Sequence, residues 1–541
     1  MLGEEPFIMS FTSSRPVALV TAGLVLVAGS ARASGFYFGD NGAKAMMQGG
    51  AFTAQADDLT AIMYNPAGLA QLDGWSFAAD VQLLNHRVNF LRQDPGFDPA
   101  NPSTLVNTVD NGKSGIFFLP FLGGSYGFKV AGRTMTVSLG VYGPPSQGRY
   151  VFPAPNYTKE MSRYLESPRK FSPQRYSLIS NDIIILYPSL SLAYAIHPRF
   201  MVGASAQLVV SHFTFKQAIS ADPTNPMTQL AENPEFDALV DVNVSGQVGF
   251  TGIFGVLARP LDWLSLGASV RPPIPMKATG SLGIAVTPEL SALARVQNGA
   301  GESCAPADPS QASPCRATLE VTLPLELKFG VRATPYEGLG INADFVYQGW
   351  QSVDQFLLTP QDVNMVLGGM TTPVEPFAIP KRWNGSFSGR LGASYDVIKY
   401  LTVHAGFLFE TGAAPPEYYA IDFAHPTRVM VTGGVTGHLG PIDVLAGIAW
   451  APNVQSVITQ SEVRRGSTDP STPAGVVGAG IYNSSGFSIL LGVRGRFPPK
   501  PKVAEAEPPA APAPASAPAP APEAAPAATP NSTTPAQETT P

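Results

Sequence analysis

Along WSFAADVQL the side chains alternate: Trp75, Phe77, Ala79, Val81 and Leu83 fall on one face, and Ser76, Ala78, Asp80 and Gln82 on the other. A period of two marks a strand whose faces meet different surroundings, one suited to lipid and the other to a polar lumen. The pattern recurs at Met135-Val137-Leu139-Val141, at Leu401-Val403-Ala405-Phe407-Phe409 and at Ile442-Val444-Ala446-Ile448-Trp450. It closes with GFSILLGVRGRF, where Phe487, Ile489, Leu491, Val493 and Phe497 share a face. Strand-like stretches start near residues 75, 123, 133, 183, 200, 240, 262, 317, 339, 383, 400, 427, 441 and 484, about fourteen in all. Short turns such as His197-Pro198, Arg259-Pro260-Leu261-Asp262, Thr334-Pro335 and Leu439-Gly440-Pro441 alternate with long connections. That rhythm fits up-and-down hairpins in a membrane better than a soluble sandwich with turns every 8 to 12 residues or so. The expectation is an all-β transmembrane antiparallel barrel over 75–497, with short turns on the periplasmic side and long loops outside.

Composition sharpens this. Hydrophobic residues make up 44% of the 541, yet only 14% are charged, against about 25% in an ordinary soluble domain. Mean hydropathy is only +0.08, and no apolar run reaches the roughly 18 to 20 residues of a spanning helix. Strands that show lipid only every second residue reconcile the two. A net charge of -6 gives nucleic acid no purchase.

The ends read differently. Arg15 precedes an apolar stretch, Val17 to Ala28, and Ala31-Arg32-Ala33 has the small-x-small form of a cleavage site, so 1–33 reads as a signal peptide and Ser34 as the mature start. The acidic residues before Met9 suit a signal poorly, and translation from Met9 fits better than from Met1. Residues 34–74 precede the first strand and form a candidate plug. The Pro/Ala-rich 498–541 lacks side chains to bury and is expected to be a disordered periplasmic tail, a spacer or a contact to the cell wall. Cys304 and Cys315, the only cysteines, are expected to form a disulfide stapling an external loop. A metal site would need further Cys or His ligands nearby, and there are none; no metal or cofactor is expected. The six histidines, among them His86, His212 and His425, show no constellation with a nucleophile, which argues against an enzyme.

One stretch carries a resemblance. Gly49-Gly50-Ala51-Phe52, Ala56-Asp57-Asp58 and Asn65-Pro66-Ala67-Gly68-Leu69 follow the signal peptide and precede the barrel. In this the chain resembles the FadL family of outer-membrane transporters for long-chain fatty acids and other hydrophobic compounds, one branch of which handles aromatic hydrocarbons. Tyr187-Pro188-Ser189-Leu190, Leu323-Pro324-Leu325-Glu326-Leu327-Lys328 and Ala343-Asp344-Phe345-Val346-Tyr347-Gln348 extend the similarity through the barrel. The resemblance implies a plug bearing Asp57, Asp58, Asn65, Pro66 and Ala67 that shifts when ligand binds. It further implies a kink in the third strand that opens a route sideways into the membrane. The matching strand here is Met135 to Tyr142, with Gly140, Gly143 and Pro144 at its end; Gly weakens a strand and Pro donates nothing to the ladder.

For the ligand, Phe36, Phe117, Phe118, Phe121 and Leu122 are candidates for an apolar capture surface. Arg149 and Lys328 are candidates for holding a carboxylate head group, and contact of such charges with lipopolysaccharide is the bland alternative. The expected partners are a hydrophobic small molecule and the lipids of the outer membrane around a monomeric barrel. An aromatic-hydrocarbon channel and a hydrophilic porin stay open as other readings.

Overall fold

Each alternating segment pairs with the next until the last meets the first, as a computed structural model shows; it describes Gly35 and residues 37–93, 105–144, 148–154, 172–220, 234–305, 312–465 and 475–498. The candidate signal peptide, Phe36, Pro145 and the tail beyond Pro498 lie outside these residues. Fourteen antiparallel strands form the ring. They begin with β1 (Gly74–Gln93), β2 (Phe117–Val130) and β3 (Arg133–Tyr142, resuming as Arg149–Val151). Next come β4 (Ser180–His197), β5 (Phe200–Ser220) and β6 (Asp237–Leu261). β7 (Leu264–Arg271) continues beyond Pro272-Pro273 as Ile274–Val286, and β8 joins Arg316–Leu323 to Glu326–Tyr336. The ring is completed by β9 (Leu339–Gln348), β10 (Ser386–Ile398), β11 (Leu401–Glu410), β12 (Arg428–Leu439), β13 (Ile442–Ile458) and β14 (Gly480–Phe497).

Closure comes from β1 against β14, with Trp75 opposite Phe497 and Arg92 opposite Gly480. A closed ring leaves no strand edge, the condition for crossing lipid with strands. β5 has 21 residues and β6 has 25, far more than the roughly 9 to 11 that span a bilayer, so the wall rises well beyond the membrane. The tight reversal between β8 and β9 falls at Glu337-Gly338, where Gly338 takes φ 78°. The expected turn at Thr334-Pro335 is thereby shifted, since both residues belong to β8.

Outside and inside divide as the period of two requires. Trp75, Tyr126, Trp263, Tyr336, Tyr395 and Tyr400 are exposed at the end with the short turns, and Phe118, Phe250, Phe387 and Trp450 at the other end of the apolar band. These are the aromatic girdles of a membrane barrel. Inward positions carry Asp80, His86, Ser205, Arg271, Lys328, Asn342, Asp344, Arg390, His404, Glu410 and Arg494, all buried. In a membrane protein such polar side chains need partners within the lumen, and the N-terminal segment supplies many of them.

Candidate functional site

Residues 37–72 fill the lumen as a short helix Ala43–Met47, a helical turn Ala61–Tyr64 and a 3-10 helix Pro66–Gln71 linked by loops. None is long enough to persist alone; the wall holds them. Asp344 accepts the amides of Phe52 and Thr53 at 2.9 and 2.8 Å. Thr432 accepts from the Gly49 amide at 3.0 Å, and Asp80 from the Ala43 amide at 3.0 Å. Ser205 and Ser269 donate to the carbonyls of Ile62 and Tyr64 at 3.1 and 2.6 Å. Arg390 pairs with Asp40 and Arg494 with Asp58. The partners sit on strands all round the ring.

Asn65 shows why the sequence reads Asn-Pro-Ala here. Its Oδ1 accepts from the Ala67 amide at 3.2 Å, capping the 3-10 helix that Pro66 starts. Its Nδ2 donates to Thr53 O within the segment and to Val256 O on β6, each at 2.9 Å. Asp57 accepts from Lys44 at 2.9 Å and from Gln55 at 3.1 Å. Burial works to raise the Asp57 carboxyl, but the Lys44 and Arg332 charges together with the hydrogen bonds from Lys44 and Gln55 outweigh it and hold the group well below the usual carboxylate range. Wall glycines let the backbones touch. A Cβ at Gly255 would overlap Asn65, one at Gly406 would overlap Gln48 and Gly49, and one at Gly140 would stand 2.8 Å from Ile62 Cδ1.

The third strand is broken. Tyr142 lies opposite Tyr187 and Arg149 opposite Asp182, so six positions separate the two paired stretches along the third strand's side against four along β4. Asn41 of the N-terminal segment donates to Gly143 O at the break and to Pro120 O on β2, each at 3.2 Å. On the outer wall beside it lies an apolar depression of about 700 Å³, rimmed by Leu122, Leu139, Leu190, Leu208 and Phe250 over Gly123, Gly124 and Gly140. A second, polar cavity of about 890 Å³ opens at the end with the short turns, among Lys44, Asp57, Arg332, Asp396, His438 and Arg494.

Strand geometry splits the expected ligand residues. Phe121 is buried inside, whereas Phe118 and Leu122, 62% and 59% exposed, face outward; a period of two cannot turn all of them to one lumen. Phe117 is partly buried and packs on the inner cluster with Leu119. Arg149 is exposed on the outer face, next to inward Tyr150, and so lies outside the lumen where a head group would be desolvated. Lys328 does face inward, but its ammonium is engaged by Glu326 at 2.8 Å and by Met63 O at 3.2 Å. Cys304 and Cys315 are bonded to each other. Among the described residues no group of three or more His, Cys, Asp or Glu could hold a metal.

Two features were missed by sequence reasoning. Arg271 joins Lys328 on Glu326, at 3.4 Å, with Tyr187 beneath its guanidinium. The histidines do form a constellation: His86 and His425, far apart in the chain, stand 4.9 Å apart between ring centroids with Tyr150 bonded to both. Ser484 completes the group, 2.9 Å from His86 Nε2; the one signal in the sequence was the inward parity of His86 beside outward Arg87.

The family model for outer membrane protein transport proteins (OMPP1/FadL/TodX) matches residues 170–474, more than half of the chain. The chain belongs to this family. Membership makes it a transport protein of the Gram-negative outer membrane, in a family of transporters and not of enzymes. A Neisseria meningitidis outer membrane protein is 32% identical over 126 residues, a match spanning 23% of this chain and only 25% of that relative's length. Among solved structures, a Pseudomonas aeruginosa FadL homologue superposes with a TM-score of 0.64 at 15% identity, covering 86% of this chain and all of that one. The Ralstonia pickettii toluene transporter TbuX gives 0.56 at 14% identity over 85% of this chain and 99% of its own. These likenesses establish the FadL-type fold, with fourteen strands as the alternation foretold.

Proposed function

We propose that the protein takes up long hydrophobic compounds with an acidic end, of the fatty-acid class, through a barrel plugged by 34–74, and that ligand binding moves the plug and frees a sideways exit. The observation that carries this reading is the wall at Gly140. Outside it lies the apolar depression; inside it, Ile62 of the plug stands directly behind the glycine. The way straight through meets Lys44–Asp57 and Arg494–Asp58 and then a charged cavity, which disfavours a hydrocarbon chain losing roughly 0.8 kcal/mol per methylene on return to water. For the acidic end, Arg271 and Lys328 share the single carboxylate of Glu326 beside Tyr142 and Tyr187, and Arg271 Nε is buried without a hydrogen-bond partner among the described residues. A ligand carboxylate entering there would make charge-assisted bonds in a desolvated site.

The test is uptake of palmitate into vesicles carrying the reconstituted protein, with toluene as competitor. Gly140→Val is expected to cut uptake at least tenfold while the barrel stays folded, because the added side chain meets Ile62 and stiffens the wall. Native uptake in that variant rules out an exit at this wall. Uptake of labelled toluene with no uptake of palmitate would favour the aromatic-hydrocarbon reading.

A further inference from the structure

The polar side chains around the start of the plug form a single chain of hydrogen bonds. Gly35 O can only accept, so His425 Nδ1 donates to it, at 2.7 Å. The neutral His425 ring then presents Nε2 as an acceptor, and the Tyr150 hydroxyl donates to it across 3.4 Å. The Tyr150 oxygen accepts from His86 Nδ1, and Ser484 donates to His86 Nε2 at 2.9 Å. With both rings neutral in these tautomers, all four ring nitrogens are satisfied. His425 lies in the loop between β11 and β12. Burial, with His86 and the Arg428 guanidinium alongside, holds its ring well below the usual histidine range.

What the chain connects matters more than its members. Ser484 and His86 belong to β14 and β1, the seam where the barrel closes. Tyr150 belongs to the short segment with which β3 resumes after its break, and Gly35 is the first described residue of the plug. Phe38, three residues on, stacks on His86 at 4.3 Å and lies under Arg428 at 4.4 Å. Asn41 holds the near side of the same break.

We propose that Tyr150 is a positioning residue that latches the start of the plug to the strand resuming after the break, through its hydrogen bonds to His425 and His86. Movement of that segment by an arriving ligand breaks the bond to His425 and releases Gly35. The inference rests on the plug being the moving part, so its test reads the latch and transport separately.

Tyr150→Phe keeps the ring and removes only the hydroxyl; His425→Leu removes the next link. Hydrogen–deuterium exchange on the full-length protein is expected to rise about tenfold at amides of residues 37–47 in either variant, the effect of one lost buried hydrogen bond, with β1 and β14 unchanged. The double variant should add nothing further, because both changes cut one chain. Native exchange in Tyr150→Phe, with only Tyr150→Ala showing an effect, reduces Tyr150 to a packing residue and overturns the latch, as do additive effects in the double variant. Palmitate uptake is measured alongside. Faster exchange with native uptake keeps the latch and removes plug release from the transport step; native exchange with altered uptake removes the latch.

Discussion

Asn65 joins three things at once: the cap of a 3-10 helix, the carbonyl of Thr53, and the wall at Val256. Asn65→Ala is expected to weaken seating of the plug by about 1 to 3 kcal/mol, since a buried and a partly buried carbonyl lose their donor; faster exchange confined to residues 52–72 is the reading that checks it. The Asn-Pro-Ala run was visible in the sequence as part of the stretch that carries the family resemblance. Its anchor at Val256, 191 positions away, was not, because a side-chain bond to a distant backbone carbonyl leaves no local pattern. Asp57 makes a prediction about acid. Its folded pKa is depressed, so the stability contributed by the Lys44 pair is full above the unfolded carboxylate value near ~4 and is lost as pH falls through the lower folded value. Plug seating should therefore weaken progressively below about pH 4, and Asp57→Asn should flatten that dependence in exchange data corrected for intrinsic rates.

The strands were the most legible elements, because a wall with lipid on one side and polar groups on the other imposes a period of two on every crossing. That same period explains which candidates fell away: Phe118 and Leu122 point to lipid while Phe121 points inward. The break in β3 was legible in part, from Gly143 and Pro144, but the six-against-four mismatch with β4 exists only in the pairing. Gly140 was read as a weak point of its strand. Other wall glycines have a meaning that only packing shows, since Gly406 and Gly255 mark where the N-terminal segment lies against the wall. Gly406→Val is expected to leave β11 paired with β10 and β12 yet unseat the Gln48-Gly49 turn, seen as a steady ion conductance from an otherwise native barrel. An unchanged, silent barrel would show that the turn relaxes around the added side chain.

For the molecule as a whole, residues 37–72 and the inward side chains of the wall form one interior, with buried ion pairs set among apolar packing, inside a ring whose outer face is apolar. Removing 35–73 is expected to convert a silent barrel into one with large, steady conductance in planar bilayers. A comparable conductance from the intact chain would move the reading toward a porin. By itself the sequence determined the class of fold and the number of crossings, because alternation, turn spacing and the low charged fraction are all local or summed properties. Only the tertiary structure decided what meets in the lumen: Arg390 with Asp40, Arg271 and Lys328 on one Glu326, His86 and His425 on Tyr150. Ring closure sets Asp40 with Arg390 across 350 positions and Tyr150 with His425 across 275, and in a desolvated interior the energy of each charge depends on the partner it meets.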